Sequence, residues 1–469
     1  GVTRLVRLDE RTHALELWHG PTAAFKDMAL QIMPRMMRVS SDKGPPIKKI
    51  LILVATSGDT GKAALEGFKD VPGIEIAVFY PEEGVSEIQR RQMISQEGDN
   101  VHVFAVKGNF DDCQNAVKEA FNDTELLGLA KQKRIMFSSA NSINWGRLCP
   151  QIVYYISAYA RMLRDKIVRP GVPINICVPT GNFGNILAAY YAKLMGVPVE
   201  KLICASNSNK ILTDFINTGV YDRNREFHAT ISPSMDILVS SNVERLLYHL
   251  TGGNDGLIKE WFGSLKETGR FEVDDNVKAK LKELFHAGWC SEEDTSDTIK
   301  TVFNEHGYLM DTHTAVAYKV LQDFNGEFGK RRVKTLITST ANPYKFSESV
   351  YRSIYGDVKK FGDLENPPEL EDDSEIAEEV NEEIIETHEN EYQPDFAPAS
   401  EDGNGSEPDE MQPHLRLSRE ITEEDIMFRL EQLTGLRIPN TIDDIWYKEP
   451  RFDQILDKSE IKATVANLL

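Results

Sequence analysis

At 469 residues, 41% of them hydrophobic, the chain exceeds one ordinary domain and has ample material for buried cores. Its 74 Asp and Glu against 53 Lys and Arg give a formal charge of −21, which argues against a nucleic-acid partner because phosphates need cations. Five scattered cysteines (Cys113, Cys149, Cys177, Cys204, Cys290), never in CxxC spacing, argue against a disulfide framework or a structural zinc site, and a reducing, cytoplasmic compartment fits best. No apolar run approaches the roughly twenty residues that span a bilayer, so no membrane partner and no signal peptide are expected.

Taken in chain order, the first element with chemistry is HGPTAAFKD, His19 to Asp27. Its Lys26 reads as a Schiff-base lysine for an aldehyde cofactor such as pyridoxal phosphate. Such a lysine must be partly buried to lower its pKa, and Ala23, Ala24 and Phe25 offer an apolar flank, with Asp27 a charge on the other side. Read alone, such a run far more often holds a surface lysine, and the weight comes from the other motifs. Next, KKILILVAT (Lys48 to Thr56) is an apolar strand that turns through Ser57, Gly58, Asp59 and Thr60 into a helix. That turn can make a small anion nest for a substrate carboxylate, or Ser57, Asp59 or Thr60 can simply cap the helix. SGDTGK is not a P-loop, because Thr56 and Ala63 stand where Gly and Ser/Thr are required.

Strands are expected at Ile74 to Tyr80, Val101 to Val106, Ile174 to Val178, Leu202 to Ala205 and Val333 to Thr338, with helices at Ser86 to Gln96, Asp111 to Asn122, Pro150 to Lys166 and Asn185 to Met195. This alternation is an α/β signature with largely parallel sheets. Between Val178 and Leu194 the chain reads strand, glycine turn, helix, so the backbone N–H groups of Gly181, Asn182, Phe183, Gly184 and Asn185 can point at one phosphate at the positive end of the helix. An ordinary βα turn is the alternative for this motif by itself.

The charge is concentrated. From Phe361 to Glu410 there are 20 acids and no Lys or Arg, which leaves 54 acids against 53 bases elsewhere. This stretch holds too little apolar surface to fold alone, and a disordered insertion over 363–417 is expected, with a partner-induced helix as the alternative. Beyond it Thr422 caps a helix that ends near Gly435, and residues 418–469 are expected to form a helical appendage.

Seven motifs stand in the order found in one family: HGPTAAFKD, ATSGDTG, SSANSIN followed by Arg147, PTGNFGN, SMDILVSSNVERL, DTHTAVAY and STANPYKF. On these the chain resembles the threonine synthases, fold-type II pyridoxal-phosphate enzymes, over residues 1 to 360 and faintly after 420. The resemblance implies a tryptophan synthase β-like α/β fold of two open parallel-sheet lobes with the cofactor in the cleft. One lobe is expected from 1–47 plus 167–362, and a smaller mobile one from 48–166. Because threonine synthases usually carry a domain before the lysine motif and Gly1 is no initiator, a truncated form is expected.

For the site, the resemblance implies Lys26 as the catalytic residue, Gly181 to Asn185 around the cofactor phosphate and the Thr340 hydroxyl facing the pyridine nitrogen. Ser57, Gly58, Asp59 and Thr60 go to the substrate. Lys345 and Arg147 go to its phosphate, with Ser142 and Asn144 as neutral donors and no metal. O-phosphohomoserine would displace Lys26, whose amine would then shuttle protons at Cα and Cβ; phosphate leaves Cγ, water adds at Cβ and L-threonine is released. A monomer or homodimer serving threonine biosynthesis is implied. Asn342 and Thr312 depart from the His and Pro common in relatives. His313 reads as a capping or core histidine, while His19, Asp59 and Asn141 stay open between orienting the site and holding loops. Two other functions remain: a phospho-lyase giving 2-ketobutyrate, phosphate and ammonia, and a non-catalytic binding protein that recruits partners through the acidic segment.

Overall fold

The computed structural model describes residues 3–41, 47–328, 333–358 and 420–469; the expected acidic insertion lies outside these. Its strands are β1 (Arg4–Arg7), β2 (Thr12–Glu16), β3 (Lys49–Ala55), β4 (Ile74–Pro81), β5 (Val101–Val106), β6 (Ile135–Ser138), β7 (Ile174–Pro179), β8 (Val199–Ser206), β9 (Val220–Asp222), β10 (Arg270–Glu272), β11 (Phe285–Trp289), β12 (Thr335–Ser339) and β13 (Ile455–Leu456). They form a six-stranded sheet in the order β1-β2-β12-β7-β8-β11, a five-stranded sheet in the order β13-β5-β4-β3-β6, and a β9–β10 ribbon. Within the two large sheets every pairing is parallel except β1 with β2.

The unbroken apolar run of β3 follows from helices on both faces of its sheet. Successive side chains point to opposite sides: Ile50, Ile52 and Val54 join a core with Leu30 and Phe68, while Leu51, Leu53 and Ala55 join another with Cys113 and Val117. The helix Lys26–Ser41 supplies Leu30 and Met33 to the first core and so ties the lysine motif to the smaller sheet. Pro34 has no N–H to give the Leu30 carbonyl, and the crossing helix Asp59–Phe68 uses that gap. A Cβ on Gly67 would come within 2.1 Å of the Leu30 oxygen, so only glycine permits this approach.

Two segments sit differently from expectation. The helix Ile152–Arg164, assigned by sequence to the smaller lobe, buries Tyr154, Tyr155, Ala158 and Met162 in the core of the six-stranded sheet, where they pack with the strand residues Ile174, Ile176 and Val178. The C-terminal segment is more than a helical appendage. Its helix Glu423–Thr434 shares a core with Tyr351 and Ile354 beside the large sheet, and the chain then crosses to add β13, parallel to β5, to the smaller one. On the way Glu423 Oε2 accepts a hydrogen bond from Ile88 N at 3.2 Å.

Burial, reinforced by Glu348 and Glu87, pushes the Glu423 carboxyl up to about 7. A raised carboxyl favours the fold while protonated, and this contribution is lost as pH climbs from the unfolded value near 4.5 through 7. Glu423→Gln should therefore raise Tm at pH 8 by roughly 2–4 °C and leave it unchanged at pH 4. Parallel Tm-versus-pH curves for the two proteins would refute this.

Candidate active site

The lysine loop is pinned before its helix begins. Phe25 N donates to Thr340 O at 2.8 Å, Asn342 N to Ala23 O at 3.1 Å, and Thr22 N to Asp27 Oδ2 at 2.9 Å. Ala23 adopts a left-handed φ of 55°, a conformation a non-glycine residue keeps only when its surroundings impose it. Lys26 is thereby fixed as the first residue of its helix, 6% exposed. Its Nζ donates to Asp59 Oδ2 at 2.9 Å and to Ser234 Oγ at 3.3 Å. Burial brings the amine down to about 8 against the opposing pull of Asp59. The positive end of its own helix acts in the same direction as burial.

Asp59 is the hub of this charge cluster. Its Oδ1 lies 2.6 Å from Lys345 Nζ and accepts from Gln89 Nε2 at 2.8 Å, and Lys345 also donates to Thr22 O at 3.0 Å. Burial pushes the Asp59 carboxyl up, but Lys26 and Lys345 outweigh it and hold the group well below the usual carboxylate range. The capping expected of Ser57, Asp59 or Thr60 falls instead to Thr56, whose Oγ1 accepts from Gly58 N at 3.0 Å and Gly61 N at 2.8 Å. This releases Asp59 to face the lysines.

A single cavity is lined by Lys26, Ser57, Thr60, Asn141, Ser142, Arg147, Gly181, Asn182, Phe183, Gly184, Asn185 and Thr340. Most of the residues selected from sequence thus converge. Gly58, Asp59, Asn144 and Lys345 are outside this lining: Asn144 caps the short helix Trp145–Leu148 and donates to Ser139 O at 2.9 Å. His19 is also outside it, bonded to Glu16 at 2.6 Å.

At the glycine turn, Phe183 has φ 60° and opens the helix Gly184–Leu194, which no side chain caps. Its first N–H groups therefore remain available to an anion. A Cβ on Gly181 would lie 2.8 Å from Ser234 O and 3.0 Å from Met235 Cα, so glycine lets the Ser234 loop close over the turn. Around the same cavity Asn185 Nδ2, Gln151 Oε1 and Arg147 Nε are buried without a partner among the described residues. Burial draws the Arg147 guanidinium down to about 10. A low-pKa amine, a glycine turn opening an uncapped helix and the unpaired donors Asn185 Nδ2 and Arg147 Nε fit an anionic aldehyde cofactor. Among the described residues no group of three or more His, Cys, Asp and Glu is placed to hold a metal ion, and no helix is long and apolar enough to cross a membrane.

The model of the family "Pyridoxal-phosphate dependent enzyme" matches residues 1–260. Threonine synthase of Pseudomonas aeruginosa is 41% identical over 356 residues, 76% of this chain and 72% of that protein. The chain belongs to the pyridoxal-phosphate-dependent enzymes, in their threonine synthase-like branch. Its cofactor is pyridoxal phosphate. The structure of PLP-bound threonine synthase from Brucella melitensis aligns with a TM-score of 0.74 at 31% identity, covering 99% of this chain and 80% of that one. Human threonine synthase-like 1 is 46% identical over 348 residues, 72% of this chain, and the chain spans about half of that protein's length, 46%.

Sequence reasoning missed several groups at the site. Gln89 lies on the helix expected from Ser86 to Gln96, but only its contact with Asp59 reveals its place at the site. His313, expected as a cap or core residue, lines the cavity; its Nδ1 bonds Asp311 Oδ1 at 2.9 Å and its Nε2 accepts from Ser234 N at 3.2 Å. The Asp-x-His spacing of DTHTAVAY was the available signal, since a carboxylate two residues away can orient an imidazole. Ser234 lay inside a quoted motif with nothing to mark it.

Proposed function

We propose that this chain converts O-phospho-L-homoserine and water to L-threonine and phosphate, as a carbon–oxygen lyase. The observation that supports this most is the convergence of Lys26, the glycine turn, Thr340 and the hydroxyl-rich wall of Ser57, Thr60 and Ser142 with Arg147 around one cavity. When bound, pyridoxal phosphate supplies the electron sink for bond breaking beside the substrate's amino group. Lys26 holds the cofactor aldehyde, and its freed Nζ carries protons at Cα and Cβ, a role suited to an amine whose pKa is about 8. The N–H groups from Gly181 to Asn185 would hold the cofactor phosphate, and the Thr340 hydroxyl would serve as the neutral partner of its ring nitrogen. Ser57 and Thr60 bind the substrate carboxylate, with Gly58 and Asp59 shaping that turn. Arg147 and Ser142 face the leaving phosphate, and Asn144 shapes their loop. Lys345, fully buried behind Asp59, meets that phosphate only if the Asp59 pair opens.

A product assay tests the reaction. The PLP-loaded protein given O-phosphohomoserine should release phosphate and form mostly threonine. 2-Ketobutyrate is the informative competitor, because the same scaffold would release it if water were not delivered to Cβ. Its predominance would replace the synthase reading with the phospho-lyase one.

A further inference from the structure

We propose that Ser234 Oγ, together with Lys26 Nζ, holds the water that adds at Cβ, and that this hydroxyl sets the division between threonine and 2-ketobutyrate. The proposal rests on the reaction given above. Among the described residues Lys26 Nζ has two hydrogen-bond partners, and they face different ways. Asp59 stands outside the cavity lining with its other oxygen occupied by Lys345 and Gln89, whereas Ser234 lines the cavity. On the open side of the catalytic amine the polar neighbour is therefore a half-buried hydroxyl at 3.3 Å. A serine hydroxyl that accepts from an amine still has its own proton to give to one more oxygen.

That hydroxyl is held in place from behind. His313 Nδ1–H donates to Asp311 Oδ1 at 2.9 Å, which leaves the Nε2 lone pair for the Ser234 N–H at 3.2 Å. The missing side chain at Gly181 lets the Ser234 carbonyl sit against the glycine turn. Loss of phosphate from Cγ needs proton movement by Lys26 alone. Addition of water needs more, because the attacking oxygen must be aimed at one carbon. A water bonded to Ser234 Oγ and Lys26 Nζ is fixed at two points. Its oxygen bonds to Cβ, one of its protons passes to the Lys26 amine, the electron pair of the Cα–Cβ double bond moves to Cα, and the ammonium returns a proton there. The sum is one water across the double bond. Without the second anchor, the unsaturated amine is released, takes a proton at Cβ to become the imine, and water then adds at the carbon that carries nitrogen and expels ammonia, leaving 2-ketobutyrate.

The test uses PLP-loaded wild type, Ser234→Ala and Ser234→Thr with O-phosphohomoserine, following phosphate, threonine and 2-ketobutyrate beside the cofactor absorbance and Tm. In Ser234→Ala the absorbance and Tm should match wild type while the threonine-to-2-ketobutyrate ratio falls about tenfold, the size of one lost hydrogen bond to the reacting water. Ser234→Thr keeps the hydroxyl and should recover the ratio to within about threefold. An unchanged ratio in Ser234→Ala overturns the proposal and leaves the synthase reading intact. Loss of the cofactor absorbance in Ser234→Ala overturns it too, since the residue then serves cofactor binding. A wild type that forms only 2-ketobutyrate overturns the synthase reading itself, and this proposal with it.

Discussion

Lys26→Ala protein will show no cofactor-linked absorbance at the edge of the visible, and its turnover of O-phosphohomoserine will fall by about 10²–10⁴-fold from the lost proton transfers alone. The expectation follows from where the amine sits. Burial lowers it to about 8, so roughly a tenth of the protein holds a neutral, nucleophilic amine at pH 7, against well under a thousandth for an ordinary exposed lysine. The neutral fraction grows with pH up to that value and then saturates. The rate at which cofactor-free protein captures pyridoxal phosphate should accordingly climb between pH 6 and about 8 and level off above. Absorbance after mixing, with borohydride trapping and identification of the labelled peptide, measures both effects. A Lys26→Ala protein that kept the band and still trapped cofactor would move the Schiff base to another lysine.

How much of this could be read from the chain differs from element to element. β3 was legible because a central parallel strand is apolar on both faces, and ILILVA has no interruption. β2 was not, although all five of its residues are buried, because His13 and Glu16 break the apolar pattern. Glu16 is tolerated there by tertiary partners, the Tyr308 hydroxyl at 3.1 Å and His19, which no local pattern announces. β13, two residues long, exists only because β5 offers an open edge. The site divides the same way. Lys26, the glycine turn and the Ser57–Thr60 turn were visible because each is a contiguous run with its own backbone geometry. Asp59 and Lys345 were also named, but for the substrate; their pairing with each other and with Lys26, and the Ser234 hydroxyl beside it, join separate segments that only folding brings within 3.3 Å.

Lys345→Met should destabilise the protein by about 3 kcal/mol, near the lower end of the range for breaking a buried ion pair, because Asp59 keeps Lys26 as a second cation. Lys345 has no exposed surface, and its three donors serve Asp59 Oδ1 and Thr22 O, so nothing replaces them by simple solvation. The substitution also reaches the chemistry through charge. Lys345 is one of the cations that lower the Lys26 pKa, so its removal leaves Asp59 to hold Lys26 protonated more firmly. The pH at which cofactor capture levels off should therefore move upward in Lys345→Met. Asp59→Asn should move it too, with opposite sign, since it removes the carboxylate that favours the charged amine. Because the three groups form one cluster, the double variant should cost clearly less stability than the two single changes added together. Denaturant unfolding and the capture profile measure these outcomes. If Lys345→Met left stability and the capture profile unchanged while raising KM for O-phosphohomoserine, the lysine would spend its working life in the cavity with the substrate phosphate, and its pairing with Asp59 would be a resting arrangement only.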